Sequence, residues 1–558
     1  MAPPIEVDVI IVGGGAAGCV VAGRLAKAEP TLQIAIIEAG QNFLMYTRGS
    51  ASDYDDWNTE GWAFEDLLPL ARSVKFSLPT ETNHLPGQDP KLHGNNGPLN
   101  VSYGGHSSEI GKQFIDAAKS CYDVPYTEDL QNFKLGHGIT KWAKWISPTT
   151  GRRQDAAHGY VHPIVATQTN LHVLTERKTI RVIFDENNKA IGVEHCANPL
   201  ATAPLNPEQP PTVGTISTMK ARKLVVISSG AFGSPMVLER SGVGAKEHLK
   251  KLDIDVVVDL PGVGATYMDH QLTLATYKVD DDEDTLDDYL RGVPEVHMKV
   301  GPMWAKNGQG LVATNAIDAG MKCRPTEAEV VKMGPEFQKV WKDYFVNKTD
   351  KPVMFGGAVS SFLGDHSLLP PGKYMMMGSY LMYPKSTGSV HINSKDPFVA
   401  PDFDAGYLSD YADMAPQVWM YKVLREITRR MPTSRGEFAA IHPKFSETSP
   451  ARCVSKSATD SVIGLEDLVY STEDDKAIEQ WLRENVGTTW HSMGTVPMKP
   501  RAEGGALDAK LNVYGTSNLK VADLSICPSN VGSNTYSVAL TVGEKAAMII
   551  AGELGITM

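Results

Sequence analysis

Residues 7–18 read Val-Asp-Val-Ile-Ile-Val-Gly-Gly-Gly-Ala-Ala-Gly, and residues 34–40 read Ile-Ala-Ile-Ile-Glu-Ala-Gly. The first apolar run, Val7 to Val12, ends in Gly13, Gly15 and Gly18, spaced G-x-G-x-x-G. Between the runs, Ala17, Val21, Leu25 and Ala28 recur at helical spacing, which places them on one face. The second run ends on Glu38, twenty residues after Gly18. Each part has a mechanical reason. Gly13 permits a tight strand-to-helix turn, Gly15 lets a pyrophosphate approach the backbone, and Gly18 lets the helix pack closely on the strand. Glu38 can accept hydrogen bonds from an adenosine ribose, and the helix start offers unpaired N–H groups to phosphate. The pattern predicts a strand–turn–helix–strand unit that holds a dinucleotide. It does not say which one.

A chain of 558 residues is too long for one core, so two or more domains are expected. Hydrophobic residues make up 42% and charged residues 21%, an ordinary globular balance. The formal net charge of −12 speaks against nucleic acid or an anionic membrane as a partner. No apolar run has the length of a membrane-spanning helix. The start, Met1-Ala-Pro-Pro-Ile-Glu, has no basic segment before its apolar stretch, so no secretory signal is expected. Six widely spaced cysteines without C-x-x-C read as scattered thiols, neither a disulfide frame nor a metal cage, and no metal site is expected. The ending Gly-Ile-Thr-Met is not of the S-K-L type, which favours the cytoplasm over the peroxisome.

Outward from the glycine turn, residues 80–105 and 199–213 read as loop, and 109–120 as a helix. Leu224 to Ile227 reads as a buried strand, and Met414 to Met431 as a long helix. The acidic run after Val279 reads as a solvated loop, the Met375–Met377 cluster as core packing, and His391 as structural. Near the end, Leu519 to Asp523 reads as a short strand closing on an acid. Ser537 to Leu554 reads as an amphipathic helix with Ala539, Val542, Ala546 and Ile550 inward. A domain begun at the start of the chain and completed at its end implies an inserted middle. The expected division is a nucleotide-binding domain over 1–270 with excursions at about 71–150, a substrate domain over 271–484, and a return over 485–558.

The chemistry gathers late in the chain, in Thr488-Thr-Trp-His491-Ser-Met-Gly-Thr and Cys527-Pro-Ser-Asn-Val-Gly-Ser-Asn534-Thr-Tyr. There is no G-x-S-x-G, H-E-x-x-H or P-loop to suggest another reaction. With Gly230-Ala-Phe-Gly-Ser-Pro-Met-Val-Leu-Glu-Arg-Ser-Gly-Val-Gly244, Pro261-Gly-Val-Gly264, Asp269-His270 and Ala400-Pro-Asp-Phe-Asp404, these segments resemble the glucose–methanol–choline (GMC) oxidoreductases. Within that family they look most like fungal alcohol oxidases, and the block Met45 to Trp57 looks the same. The resemblance implies an α/β fold: a Rossmann-like FAD-binding domain with an inserted α+β substrate domain. It implies FAD as cofactor, a primary alcohol (short-chain first, methanol metabolism) and O₂ as small-molecule partners, and assembly into a homo-oligomer. A dehydrogenase acting on a larger alcohol is the alternative, and a nicotinamide enzyme is more distant.

By the same resemblance His491 is the active-site base that takes the alcohol proton, and Asn534 its partner in orienting the substrate oxygen. Gly13, Gly15, Gly18, Glu38, Asp523 and Thr535 hold the cofactor, while Phe43 and Trp490 shape the alcohol pocket. One departure stands out. After Glu38-Ala-Gly-Gln-Asn42 the chain passes directly to Phe43-Leu-Met-Tyr, where the family carries a further stretch that includes its first signature loop. Without it a flavin-poor, inactive variant is the third reading. Residues 73–80 fit no segment of the family.

Overall fold

A computed structural model describes residues 5–39, 45–76, 89–122, 124–201 and 211–558. Its first sheet is built around the strand Glu6–Val12, whose six residues after Glu6 are all buried. Ile34–Ile37 runs parallel on one side and the long strand Ser217–Ile227 parallel on the other. Leu171–Leu174 extends the sheet beyond Ile34–Ile37, again in parallel. Ser217–Ile227 is longer than its apolar core Leu224–Ile227 suggested, because its first half pairs antiparallel with Ala190–Ala197 at a half-exposed margin. Its last residues instead take Leu519–Val521 as a parallel neighbour. The end of the chain thereby completes a sheet begun by its start.

The first helix, Ala16–Ala28, is buried more widely than its single apolar stripe predicts, while Ala28 itself is only half-buried. The reason is the closing helix, Tyr536–Leu554, which lies across it and buries Ala539, Val542, Ala546 and Ile550. Contact is close enough that a Cβ on Gly543 would sit 2.8 Å from the Val20 Cβ. Arg24 and Glu544 join the two helices through paired hydrogen bonds of 2.8 and 2.7 Å, and the Tyr160 hydroxyl donates to the same carboxylate.

The second sheet is antiparallel throughout, in the order Ser434–Glu437, Gln271–Val279, Tyr374–Leu381, Met354–Val359, Ala319–Cys323, Gly138–Lys141. Gly487–Thr488, just before His491, pairs with the start of Gln271–Val279. Helices Glu109–Cys121 and Met414–Arg429 cover one face. A Cβ on Gly356 would meet the Met420 Cε at 2.3 Å there. Met375, Met377 and Met382 are core residues, as their sequence clustering suggested. Arg425, fully buried in the covering helix, is held by Glu437 at 2.7 Å. The other face looks toward the first domain, and the candidate site lies between them. His391 is structural in this arrangement: its Nδ1 meets the buried Glu239 at 2.7 Å, fastening the hairpin Ser389–His391/Asp402–Asp404 to the helix Gly230–Arg240. No helix among the described residues is long and apolar enough to cross a membrane.

Candidate functional site

A cavity of about 750 Å³ runs from the glycine turn to the second sheet. At the turn, Gly13 has φ +109°, and a Cβ there would lie 2.2 Å from the Ser228 carbonyl oxygen. Gly18 is as tightly placed, its Cβ position 2.1 Å from the Gly13 oxygen. Gly15 differs. The nearest atom to its Cβ position is 4.0 Å away, so its missing side chain keeps space open rather than preventing a collision. Gly15 also caps the first helix with no side-chain hydrogen bond, which leaves the first-turn N–H groups to a ligand. Glu38 closes the second strand with its carboxylate accepting from the Gly14 N–H and lines the same cavity.

Sequence reasoning missed three cations at this end: Arg177, Lys178 and Arg240 also line the cavity. Burial pushes Arg240 down to about 10 and lowers Lys178, whose charge Arg240 also opposes. The Arg240 Nε and the Thr179 hydroxyl are buried without a hydrogen-bond partner. These are buried donors with an anionic or polar occupant missing from their count. No spacing rule links residues 177–179 and 240 to the turn at 13–18, so only the folded chain exposes them.

Asp523 lines the middle of the cavity. Burial raises its carboxyl, against hydrogen bonds from the Ser234 hydroxyl, the Ser525 N–H and the Gly230 N–H. It therefore anchors the start of the helix Gly230–Arg240 as well as facing the cavity. Thr535 is the first residue before the closing helix and lines the cavity beside Asn534.

At the far end His491 is buried, and its backbone N–H donates to Asp269 at 3.1 Å. Asp269 also accepts from Tyr267, Tyr407 and Thr488. Trp490 has φ +58°, an uncommon backbone for a bulky residue. The Thr488 hydroxyl secures that turn by accepting the Trp490 N–H at 2.8 Å. Trp490 is 58% exposed, so it forms the rim of the pocket rather than an inner wall. Phe43, the other expected pocket residue, lies outside the described residues. Burial, and secondarily the neighbouring His270, holds His491 well below the ordinary histidine value, so it is neutral and one ring nitrogen keeps a free lone pair.

The two imidazoles meet Nδ1 to Nδ1 at 2.9 Å, both nearly or fully buried. One Nδ1 must carry the proton and the other accept it. Burial lowers His270 to about 4, against the Val531 and Met382 backbone, which favours a proton on its ring, and its Nε2 makes no close hydrogen bond. With the His270 proton on Nε2, its Nδ1 accepts, His491 donates through Nδ1, and the His491 Nε2 lone pair stays free. Asn534 stands across a shared neighbour. Its Oδ1 accepts from the Tyr380 hydroxyl at 2.8 Å and the Thr47 hydroxyl at 3.1 Å, while the Tyr380 ring lies 5.8 Å from the His491 ring. The amide NH₂ remains for a substrate oxygen.

The GMC oxidoreductase N- and C-terminal family profiles match residues 7–272 and 384–543. The chain belongs to the GMC oxidoreductases. Among its relatives, an alcohol oxidase of Pichia angusta is 40% identical over 654 aligned positions, covering all of this chain and 96% of that protein. An alcohol oxidase of Candida boidinii is 39% identical with the same coverage. Formate oxidase from Aspergillus oryzae superposes with a TM-score of 0.79 at 20% identity, over 99% of both chains, which shows the shared fold. The cofactor of this GMC oxidoreductase is FAD. The open cradle at Gly15, the uncapped helix start, Glu38 and the unpartnered buried donors at Thr179 and Arg240 all fit its adenosine diphosphate half.

Proposed function

We propose that this GMC oxidoreductase oxidises a primary alcohol to an aldehyde, with short-chain alcohols among its substrates and O₂ as the final acceptor, released as H₂O₂. Bound FAD supplies the hydride acceptor, its N5, and delivers the electrons to O₂. The protein supplies the proton acceptor and the geometry. The His491 Nε2 takes the hydroxyl proton as the α-carbon gives up hydride, a base kept neutral by burial. The Asn534 amide holds the alcohol oxygen without competing for the proton. Tyr380 fixes the amide through its hydroxyl, and His270 keeps the His491 proton on Nδ1. Asp269 sets the His491 backbone.

The observation that carries this reading is the meeting of His491 and Asn534 around Tyr380, at the opposite end of the cavity whose other end is the glycine turn. Gly15, Glu38, Asp523 and Thr535 would hold the cofactor along this cavity, and it would supply the hydride acceptor for an alcohol bound at that pair. The test is anaerobic addition of methanol to FAD-supplemented protein. Bleaching of the flavin band, followed by peroxide release on admitting air, is the expected result. Bleaching without peroxide in air, but with reduction of an added dye, assigns a dehydrogenase instead. We place the enzyme in the cytoplasm as a homo-oligomer; fractionation and sedimentation decide both.

A further inference from the structure

Glu239, His248 and His391 line no part of the cavity assigned to the cofactor, yet they meet one another. One ligand atom from each, a ring nitrogen or a carboxylate oxygen, lies within 4.8 Å of the other two. They come from three elements. Glu239 belongs to the helix Gly230–Arg240, His248 to the short helix Lys246–Lys251, and His391 to the hairpin Ser389–His391/Asp402–Asp404. His391 Nδ1 stands 2.7 Å from the Glu239 carboxylate, and the His248 and His391 rings are 5.2 Å apart. His248 Nε2 donates to the Ile392 carbonyl at 2.8 Å, and the Ile392 N–H donates to Glu239 Oε2 at 2.8 Å. Ligands at 239, 248 and 391 form no local spacing motif, which is why no metal site was expected from the sequence.

The Glu239 side chain is fully buried, and among the described residues no lysine or arginine forms an ion pair with it. A buried carboxylate needs a cation or several donors close by. Here its partners are one backbone N–H and His391, whose side chain is 25% exposed. Asp402, across the hairpin from His391, adds a second negative charge. Two glycines keep side chains away from the pair. A Cβ on Gly264, where φ is +76°, would lie 2.8 Å from His391 Nδ1, and one on Gly244 would lie 3.1 Å from Glu239 Cγ. Neither glycine has a part in the alcohol chemistry.

We infer that Glu239, His248 and His391 form a zinc site, with water completing a tetrahedron from the half-exposed side. Two imidazoles and a carboxylate are ligands that zinc favours, whereas magnesium and calcium seek oxygen. Zn–N and Zn–O bonds of about 2.0–2.2 Å set ligand atoms about 3.3 Å apart. The His391–Glu239 contact therefore opens by about half an ångström on binding, and His248 closes on the pair. Zinc takes the place of the proton between His391 Nδ1 and Glu239. A neutral ring moves that proton to Nε2, and a charged ring releases it to solvent. The ion fastens both helices to the hairpin, one residue from Arg240 at the nucleotide end of the cavity. It binds independently of any alcohol.

The test is calorimetric titration of the chelator-treated full chain with zinc chloride, without FAD or alcohol, followed by cobalt(II) substitution. One zinc per chain is expected to bind at micromolar Kd or tighter, with the strong visible absorption of four-coordinate cobalt in its place. His248→Gln and His391→Gln should each weaken zinc binding at least tenfold. His158→Gln, which removes an exposed imidazole beside Asp155 and His162, should leave it unchanged. Zinc should raise the Tm of the unsubstituted chain and raise that of His248→Gln less. Glutamine at 248 keeps a donor for the Ile392 carbonyl, so this variant decides the matter should His391→Gln not fold. No binding, millimolar binding only, a six-coordinate cobalt spectrum, or full-strength binding by folded His248→Gln overturns the inference. So does an equal loss of zinc from His158→Gln.

Discussion

The His270–His491 contact gives a single hydrogen-bond proton control over His491, the base proposed for the reaction. If His270 Nδ1 accepts that proton, His491 has one tautomer, and its Nε2 lone pair is available in every molecule. His270→Phe keeps a ring of similar size but removes the acceptor. Flavin reduction by alcohol should then slow on the order of tenfold or more, as the His491 proton divides between two nitrogens. Selective ¹⁵N-histidine spectra of the unloaded protein should show a single protonated Nδ1 for His491, replaced by a mixture in the variant; an unchanged spectrum refutes the assignment. Removing the proposed base, His491→Ala, should cost about 10²–10⁴ in the same rate.

Buried neutral histidines also set acid stability. Burial lowers His270 and His442 to about 4 and holds His491 well below the ordinary histidine value. Between the ordinary value near 6.5 and pH 4, the unfolded chain takes up protons that the folded chain refuses, so stability falls as pH falls. At pH 5 each of His270 and His442 contributes about 2 kcal/mol of this loss. The Tm should therefore drop steeply from pH 7 to 5. His442 donates to the Thr276 carbonyl and stands away from the cavity. His442→Gln, which keeps a donor and cannot titrate, should flatten that slope, and a slope unaltered by the exchange would count against the account.

At the scale of the element, the three glycines of the turn share a motif but not a task. Gly15→Ala meets open space at a backbone φ of −68° that alanine tolerates. It should change stability by no more than about 1 kcal/mol while weakening FAD binding. Gly18→Ala drives a methyl into the Gly13 carbonyl and should cost about 1–3 kcal/mol in unfolding experiments even without cofactor. Denaturant titrations of unloaded protein, set beside flavin titrations, separate the two. Local signals of this kind are why the first strand, first helix and closing helix were readable in advance: period and turn chemistry reside in neighbouring residues. His491 and Asn534 were singled out through long motifs, and the fold brings both to one cavity. Tyr380 and His270 as their supports, and the cations at 177, 178 and 240, were not. The first two depend on strand pairings between segments a hundred or more residues apart, and the cations on the packing of residues 177–178 and 240 beside the turn at 13–18, neither of which a local pattern encodes. The breadth of burial on Ala16–Ala28 escaped for the same reason, since its extra partner is the last helix of the chain.

At the scale of the molecule, both large sheets form in a chain that is short against its relatives. The alignment with the Pichia angusta enzyme runs over 654 positions, 96 more than the chain has residues, and still spans all of it. The relatives therefore carry interior sequence with no counterpart here. The step from Glu38-Ala-Gly-Gln-Asn42 to Phe43 is where the family resemblance puts much of that sequence, including a loop that packs on the cofactor. Yet both sheets, both covering helices and the His491–Tyr380–Asn534 cluster assemble without it. The consequence falls on the ligand rather than on the scaffold. A charge-assisted hydrogen bond to phosphate contributes about 1.5–3 kcal/mol, so losing one weakens binding roughly 10–100-fold. The purified chain should accordingly carry well under one FAD and regain flavin absorbance when FAD is added in excess. Its Tm should rise with free FAD as the cradle at Gly15 fills. A stoichiometric flavin spectrum straight from purification would mean that Gly15, Glu38 and the cations around Arg240 hold the cofactor without the absent loop.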